Sequence, residues 1–374
     1  MGFLFTFSSE SLAVHGGEEV RMFSMATTTY PISNICINSF KSIQESRPGE
    51  EMKCSKCGKT AVYHARYTGR YYCKKHFNEM VEKKFKETVK KYRLIEKGER
   101  IAVGVSGGKD SVVLMHLLAK LREKFPFELV AITIDEGIAG YRPPSVEIAK
   151  RNAKKLGIEH RIYSFKEYIG FTLDETVEIM GSFEKGERVG ACSYCGVWRR
   201  WLLNYAAMDV GADKLAVGHN LDDEVQMFLM NILRGDIARL GRTGPYYEEI
   251  HPELVPRIKP LREIPEKEIV LYAVLNNIEV DLSECPYAVE AFRAEIRDWI
   301  NEMEEKHPGT KYQILRSYDK LFPLIAKTYT KKTSELNRCK ICGQPTTGEI
   351  CKACQFRLQV EKKAREKGLT FRVE

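Results

Sequence analysis

A short apolar strand that leads through a glycine-rich, charged loop into an apolar helix is the feature that most constrains this chain. The strand Ile101–Val105 runs directly into Ser106-Gly107-Gly108-Lys109-Asp110-Ser111, and apolar residues at helical spacing follow. Two glycines allow unusual backbone dihedrals and bring main-chain N–H groups towards an anion at the helix N-terminus. The lysine adds a positive charge, and the serines add hydroxyl donors. The loop therefore predicts a phosphate-binding turn rather than a plain β–α connection.

Strand and helix signals alternate on both sides of this loop. We predict strands at Arg100–Val105, Glu128–Asp135, Glu159–Ser164 and Lys214–Val217, and helices at Asp110–Lys124, Ser145–Leu156, Tyr194–Met208 and Asp222–Leu233. Such alternation predicts an α/β fold: a doubly wound parallel sheet, covered on both faces, with ligands at the carboxyl ends of its strands. Beyond Arg234 the pattern turns mostly helical, with helices predicted at Glu266–Asn277 and Val289–Glu304.

The phosphate loop lacks the Walker pattern of ordinary ATPases. It resembles instead the signature of the PP-loop, or N-type ATP pyrophosphatase, superfamily, which is Ser-Gly-Gly-x-Asp-Ser after the first strand. The resemblance implies that Ser106 to Ser111 bind the pyrophosphate of ATP and that a substrate oxygen attacks the α-phosphorus. It extends to Ile134, at the predicted end of the second strand, and to Gly218 and His219 after a later strand, as further ATP-binding residues.

Three residues near Gly218 have competing interpretations. His219 is either an ATP contact or an ordinary polar core or capping residue. Asp222 and Asp223 open a helix, where the helix dipole favours carboxylates, and a capping role is the simpler interpretation of Asp222. For Asp223 we favour a functional role, as a Mg²⁺ ligand or as a proton acceptor near an activated base.

The cysteines indicate metal sites at both ends of the chain. Eight of the eleven form four Cys-x-x-Cys pairs, a spacing that suits metals better than disulfides. The first set fits a tetrahedral structural zinc held by Cys54, Cys57, Cys73 and His76, with His64 as the competing ligand. The last set predicts an all-cysteine zinc knuckle formed by Cys339, Cys342, Cys351 and Cys354. Basic residues around both modules suggest RNA contact.

Three further cysteines, Cys192, Cys195 and Cys285, fall within the predicted catalytic domain. Three thiolates can hold a 4Fe–4S cluster and leave one iron without a protein ligand, which is what a sulfur-binding site needs. A disulfide or persulfide relay through Cys192 and Cys285 is the main alternative, and plain structural thiols are another. We favour the cluster.

From Met52 onwards these features together resemble the tRNA 2-thiouridine synthetases of the TtuA type. The resemblance implies ATP-dependent thiolation of uridine 54 in the tRNA T loop, with sulfur arriving from a thiocarboxylated ubiquitin-like carrier or as sulfide. One departure concerns Arg199, because family members can carry lysine four residues after the second cluster cysteine. Arginine keeps the charge but transfers protons poorly, so we expect electrostatic stabilisation from it.

Other functions share parts of this pattern. Thiolation of the wobble uridine 34 uses the same architecture. A PP-loop amidase or ligase has the ATP loop but needs no cysteine set. A zinc-ribbon RNA-binding protein without catalytic activity would suit the two ends of the chain, but the intact ATP loop argues against it.

The chain is predicted to divide into four segments. Residues 1–51 read as a dispensable extension, 52–78 as a zinc finger, 79–335 as the catalytic domain and 336–374 as a second zinc finger. Lysine and arginine exceed aspartate and glutamate by 59 to 51, which weakly favours an anionic partner. No apolar run approaches the ~20 residues of a membrane span. We expect a cytoplasmic homodimer without membrane association.

Overall fold

The computed structural model describes residues 52–181, 190–241, 244, 251, 253–287, 291–329 and 336–369, so the predicted extension at 1–51 lies outside the described residues. The strands are β1 (Tyr63–Ala65), β2 (Arg70–Tyr72), β3 (Arg100–Gly104), β4 (Glu128–Asp135), β5 (Glu159–Ser164), β6 (Lys214–Ala216), β7 (Arg257–Ile258), β8 (Asn337–Arg338) and β9 (Pro345–Thr346). The helices are α1 (Lys74–Lys91), α2 (Lys109–Arg122), α3 (Arg142–Lys155), α4 (Phe165–Ile169), α5 (Leu173–Met180), α6 (Ala191–Asp209), α7 (Leu221–Leu233), α8 (Ile237–Leu240), α9 (Glu266–Leu275), α10 (Ala291–Lys306), α11 (Thr310–Tyr329) and α12 (Lys352–Glu366). None of the described helices is long and apolar enough to cross a bilayer.

The centre of the fold is a five-stranded sheet in the order β5-β4-β3-β6-β7. All four neighbouring pairs are parallel, which confirms the predicted parallel α/β architecture. The chain moves outwards from β3 in one direction through β4 and β5, and in the other through β6 and β7. The gap between β3 and β6 is therefore the topological switch point, where open α/β sheets bind ligands.

Alternate residues of β3 face two different cores, because side chains alternate across a strand. Ile101 and Val103 join a core that contains α1, α2, α9 and the N-terminal Cys/His module, whereas Ala102 joins a core formed by α4, α5, α6 and α12. The cysteine knuckle at the C-terminal end belongs to this second core. The two terminal modules thus pack on opposite faces of the sheet.

The predicted strands and helices agree with the observed ones most closely in the first half of the sheet. Strands β4 and β5 have the predicted bounds, while α6 begins at Ala191 and not at Tyr194. Strand β7 lies in a region predicted to be mostly helical, because two residues are too few to give a pattern. Helices α4, α5, α11 and α12 were also not predicted individually.

Candidate active site

The loop after β3 is held in shape by its own serines. The main-chain N–H of Ser106 donates to Ser111 Oγ over 3.0 Å, and Ser111 Oγ donates to the carbonyl of Gly108 over 3.0 Å. Gly107 has a φ of +90°, and a Cβ there would lie 2.1 Å from the carbonyl oxygen of Ser145. Only glycine fits this position without displacing the backbone of Ser145.

Lys109, the first residue of α2, lies between two carboxylates. Its Nζ is 2.9 Å from Asp110 Oδ2 and 2.7 Å from Glu266 Oε1, at the start of α9. Burial alone would lower the pKa of Lys109, but the charges of Asp110 and Glu266 outweigh burial and raise it. The lysine therefore stays charged, as a phosphate ligand must. Sequence reasoning missed Glu266, because an acidic residue in the first turn of a helix is expected from the helix dipole alone.

The N-terminus of α7 comes to the same place from the other side of the switch point. Asn220 caps this helix, accepting from the N–H of Asp223 over 3.0 Å, and its Nδ2 donates to Asp110 Oδ1 over 2.9 Å. Burial raises the pKa of both carboxyl groups, although Lys109 opposes the rise at Asp110 and Arg293 opposes it at Asp223. Asn220 thus connects two carboxylates at the mouth of the loop.

Asp222 and Asp223 point to different surroundings. Asp222 is buried, forms an ion pair with Lys311 and accepts from the N–H of Glu266, so its carboxylate joins α7 to α9 and α11. The helix cap that we predicted for Asp222 is supplied by Asn220 instead. Asp223 retains 30% of its side-chain exposure, and its Oδ1 is 3.7 Å from Arg293 Nη2. Asp223 is therefore the carboxylate that a ligand in the cleft can reach.

The other predicted ATP contacts border this cleft. A Cβ on Gly218 would lie 3.0 Å from the main-chain nitrogen of Ser111, so a glycine lets the β6–α7 loop approach the phosphate loop. Ile134 has a buried side chain, and its carbonyl accepts from Arg142. His219 is exposed in the loop between β6 and α7.

Cys192 and Cys195 lie in α6, and Cys285 lies in a segment that contacts both α6 and the phosphate loop. The first two are in the first turns of α6, and Cys192 Sγ donates to the carbonyl of Tyr287 over 3.1 Å. Burial raises the pKa of Cys195, Arg199 opposes this, and Cys285 is close enough to add to it. The segment that carries Cys285 starts at the phosphate loop, because the N–H of Asp281 donates to the carbonyl of Gly107 over 2.9 Å.

Arg199 is one helical turn beyond Cys195 and contacts it directly. Its Nη2 donates to Cys195 Sγ over 2.9 Å, and its Nε is 3.4 Å from Glu136 Oε1. The side chain is 49% exposed, so it borders the opening of the site. A fixed cation at this point favours negative charge on sulfur, in line with the electrostatic role expected for it.

The three central thiols do not converge on one point. Among the described residues, the groups whose ligand atoms all lie within 4.8 Å of one another are the two terminal sets, and the central cysteines are not among them. A cluster of four irons spreads its protein ligands further apart than a single ion does. Three thiols of graded exposure beside a cation therefore fit a cluster better than a single zinc ion.

The N-terminal set brings together Cys54, Cys57, Cys73 and His76, with all four ligand atoms within 4.8 Å of one another. Cys57 Sγ and Cys73 Sγ are 3.7 Å apart, close to the about 3.8 Å that tetrahedral zinc with ~2.3 Å bonds to sulfur requires. Burial would raise the pKa of Cys54, but main-chain N–H groups outweigh it and lower the pKa to about 6. The competing ligand His64 is not in the set and stacks on Tyr71, with ring centroids 4.0 Å apart.

The C-terminal set brings together Cys339, Cys342, Cys351 and Cys354 with the same closeness. Cys342 Sγ and Cys351 Sγ are again 3.7 Å apart. Burial would raise the pKa of Cys339, but main-chain N–H groups of the knuckle lower it to about 6. Both donor sets therefore fit a zinc ion in their residue types and in their spacing.

Comparison with known proteins agrees with this geometry. Residues 77–304 match the family model of the PP-loop domain, and residues 53–78 match that of the N-terminal LIM domain of the 2-thiouridine synthetase TtuA. The tRNA 2-thiolation protein NcsA of Haloferax volcanii is 40% identical, over 83% of this chain and 99% of that protein. The tRNA-5-methyluridine(54) 2-sulfurtransferase of Pyrococcus horikoshii is 38% identical, over 82% of this chain and 93% of that protein.

A solved structure is similar over most of its length. The U34-tRNA thiolase NcsA from Methanococcus maripaludis, with its [4Fe-4S] cluster, has a TM-score of 0.69 and 36% identity, over 82% of this chain and 96% of that chain. Fold, phosphate loop and N-terminal module thus point to the same relatives. The chain belongs to the PP-loop family that contains the TtuA-type 2-thiouridine synthetases and the NcsA-type tRNA 2-thiolation proteins.

Proposed function

We propose that this protein is a tRNA sulfurtransferase that replaces the C2 oxygen of a uridine with sulfur and consumes one ATP. One observation carries the proposal: the phosphate loop and the three central cysteines are joined by a single short segment. In that segment, the carbonyl of Tyr287 accepts a hydrogen bond from Cys192 Sγ, and the N–H of Asp281 donates to the carbonyl of Gly107. A nucleotide and a sulfur nucleophile bound at these two places would face the same base.

The reaction balances without a redox step. The uridine C2 oxygen attacks the α-phosphorus of ATP, so that an oxygen–phosphorus bond forms and pyrophosphate leaves. Sulfide then attacks C2, a carbon–sulfur bond forms, and AMP leaves with the former uridine oxygen. Adenylation thereby turns a poor leaving oxygen into a good one.

The residues of the phosphate loop have distinct tasks in this scheme. Lys109 and the N–H groups of the loop bind the phosphates at the N-terminus of α2. Asp110 and Asp223, each hydrogen-bonded to Asn220, would hold Mg²⁺ through carboxylate oxygens. Asp223 is alternatively the proton acceptor near the base, since its carboxyl is the more exposed of the adjacent pair at positions 222 and 223.

Cys192, Cys195 and Cys285 would hold a 4Fe–4S cluster, and Arg199 would stabilise negative charge beside Cys195. When bound through three thiolates, such a cluster offers one iron that lacks a protein ligand and can bind sulfide. The two terminal sets would each hold a structural zinc, which stabilises its module without taking part in the chemistry. Sulfide itself, or a ubiquitin-like thiocarboxylate carrier, would supply the sulfur.

The modified nucleotide has two candidates. Uridine 54 of the T loop is the first, supported by the TtuA-type N-terminal module and by the similarity to the Pyrococcus enzyme. Uridine 34 of the anticodon is the second, supported by the similarity to the U34-tRNA thiolase structure. We propose that the enzyme is cytoplasmic and a homodimer, as predicted from the sequence.

The test is to map the thiolated nucleotide. Total tRNA from a strain lacking the natural thiolase is incubated without oxygen with the cluster-loaded protein, ATP, Mg²⁺ and sulfide, then digested and analysed by mass spectrometry. We expect 2-thiouridine in a T-loop fragment, and in an anticodon fragment if the second candidate is right. Absence of thiolated uridine from both fragments, with the Asp223→Asn protein as background, would contradict the proposed function.

A further inference from the structure

A row of alternating charges, formed by Arg199, Glu136 and Arg142, connects the cysteine site to the phosphate loop by a second route. Cys195 Sγ accepts from Arg199 over 2.9 Å, and Arg199 Nε is 3.4 Å from Glu136 Oε1. The other oxygen of Glu136, Oε2, is 2.6 Å from Arg142 Nε. Arg142 Nη1 in turn donates to the carbonyl of Ser106 over 2.9 Å. One carboxylate oxygen of Glu136 thus pairs with Arg199, and the other pairs with Arg142.

The inner pair of this row is deeply buried. Glu136 is 5% exposed and Arg142 is 3% exposed. Neither Glu136 Oε2 nor Arg142 Nε has a hydrogen-bond partner elsewhere among the described residues, so these two atoms depend on each other. Moving two charges from water into the protein interior costs free energy, and their mutual attraction offsets that cost only in good geometry. Such a pair adds little net stability to a fold, which suggests a further role.

Arg142 occupies a position where it responds to the phosphate loop. Its second terminal nitrogen donates to the carbonyl of Ile134 at the end of β4, while Nη1 bonds the first residue of the loop. The guanidinium therefore ties together the carboxyl ends of β3 and β4. Any shift of the Ser106 carbonyl on nucleotide binding would move Arg142 and, through Glu136, the guanidinium of Arg199.

We infer that Glu136 is a positioning residue that orients Arg199 over Cys195 and couples nucleotide binding at the phosphate loop to the state of the cysteine site. This inference rests on the proposed function, because it assumes that both sites are used in one reaction. It predicts a measurable linkage: the phosphate loop binds nucleotide with one affinity when the cysteine site holds its cluster and with another when it does not. Linkage between two sites is reciprocal, so nucleotide also changes the environment of the cysteines.

The experiment measures the Kd of a non-hydrolysable ATP analogue with Mg²⁺ by calorimetry, for cluster-loaded full-length protein and for full-length protein that lacks the cluster but retains zinc. Wild-type protein should give two Kd values that differ by about fivefold or more, the usual lower range of coupling between sites. In Glu136→Gln the ratio should fall to within about twofold of one, because an amide replaces the charge that holds both arginines. Adding the analogue should also change the electron paramagnetic resonance spectrum of the reduced wild-type cluster and leave that of the variant unchanged.

A matched control lies on the same helix as Arg142. Arg151 of α3 pairs with Glu279 at 2.6 Å, and both side chains are about half exposed. Glu279→Gln removes an arginine–glutamate pair without touching the row, so its Kd ratio should match that of the wild type. Arg199→Gln breaks the row at its exposed end and leaves the buried pair intact. It should also abolish the difference, and it decides the question if Glu136→Gln fails to fold.

The outcomes separate the inference from the proposed function. A ratio that persists in folded Glu136→Gln or in Arg199→Gln overturns the coupling role, as does a wild-type ratio of one when both ligands bind. A variant that loses thermal stability yet keeps the ratio would show that Glu136 is structural, which also overturns it. Wild-type protein that binds no nucleotide, or no cluster, contradicts the proposed function itself.

Discussion

The two terminal ligand sets and the three central cysteines differ in how close together their ligand atoms lie. We call the terminal sets closed and the central set open. Each terminal set has four ligand atoms within 4.8 Å of one another, while the central three cysteines do not converge in this way. The closed sets are compact local units, with pairs of ligands three residues apart in one turn. The central set combines one turn of α6 with a distant segment that is bonded to the phosphate loop. Closure suits a structural ion, and openness suits a site that must admit a reactant.

The largest effect should come from removing one ligand of the open set. Cys285→Ala should reduce thiolation below detection and remove iron, because two remaining thiolates cannot hold the cluster. Zinc should stay at about two per chain, since the terminal sets are untouched. Metal analysis and the tRNA digest assay measure both results. Loss of zinc together with iron would show that the three sets are not independent, and would break the comparison.

A substitution in the phosphate loop should reduce thiolation less than loss of a central cysteine does. Lys109→Ala should slow thiolation by about 100- to 1,000-fold, the usual result of removing one donor aimed at developing charge. Iron and zinc should both be retained, because Lys109 contacts Asp110 and Glu266 and no cysteine. Lys120→Ala is the control, since Lys120 is an exposed lysine on the same helix that pairs with Glu82. Equal activity of the two variants would remove Lys109 from the ATP site.

Substitutions of the two histidines of the N-terminal module should have the smallest effects on thiolation, and the two variants form a matched pair. His76→Ala should lower zinc from about two to about one per chain and lower the unfolding temperature, because the module loses its fourth ligand. His64→Ala should keep both zincs and cost only the stacking contact with Tyr71, about 1 kcal/mol. Thiolation by a cluster-loaded His64→Ala protein should be unchanged. Equal zinc loss in both variants would contradict the ligand set described above.

Local patterns allowed the closed sites to be predicted from the sequence. The bounds of β4 follow from its buried apolar residues, and Cys-x-x-Cys spacing identifies ligands within one turn. The three-residue spacing of Cys73 and His76 favours His76 over His64 as the fourth ligand, and the structure brings His76 into the set. In the structure, the strand β1 directs His64 to the ring of Tyr71 across the hairpin.

Contacts between distant segments could not be predicted in this way. Glu266 meets Lys109 only because α9 packs beside α2. Glu136, just after β4, meets Arg142 at the start of α3 and Arg199 in the middle of α6. A single carboxylate after a strand carries no periodicity and no spacing that marks it. The connection between the phosphate loop and Cys285 likewise depends on one backbone bond, from Asp281 to Gly107.

The most direct test concerns the use of iron by the open set. Protein purified without oxygen is divided into a cluster-loaded portion and a portion from which iron is removed while zinc is retained. Both are assayed for 2-thiouridine with ATP, tRNA and sulfide, with a reductant present. We predict product only from the loaded portion, its loss in air, and its return after reconstitution with iron and sulfide. Iron-free protein that makes 2-thiouridine in air would contradict the cluster and favour a persulfide relay through Cys192 and Cys285.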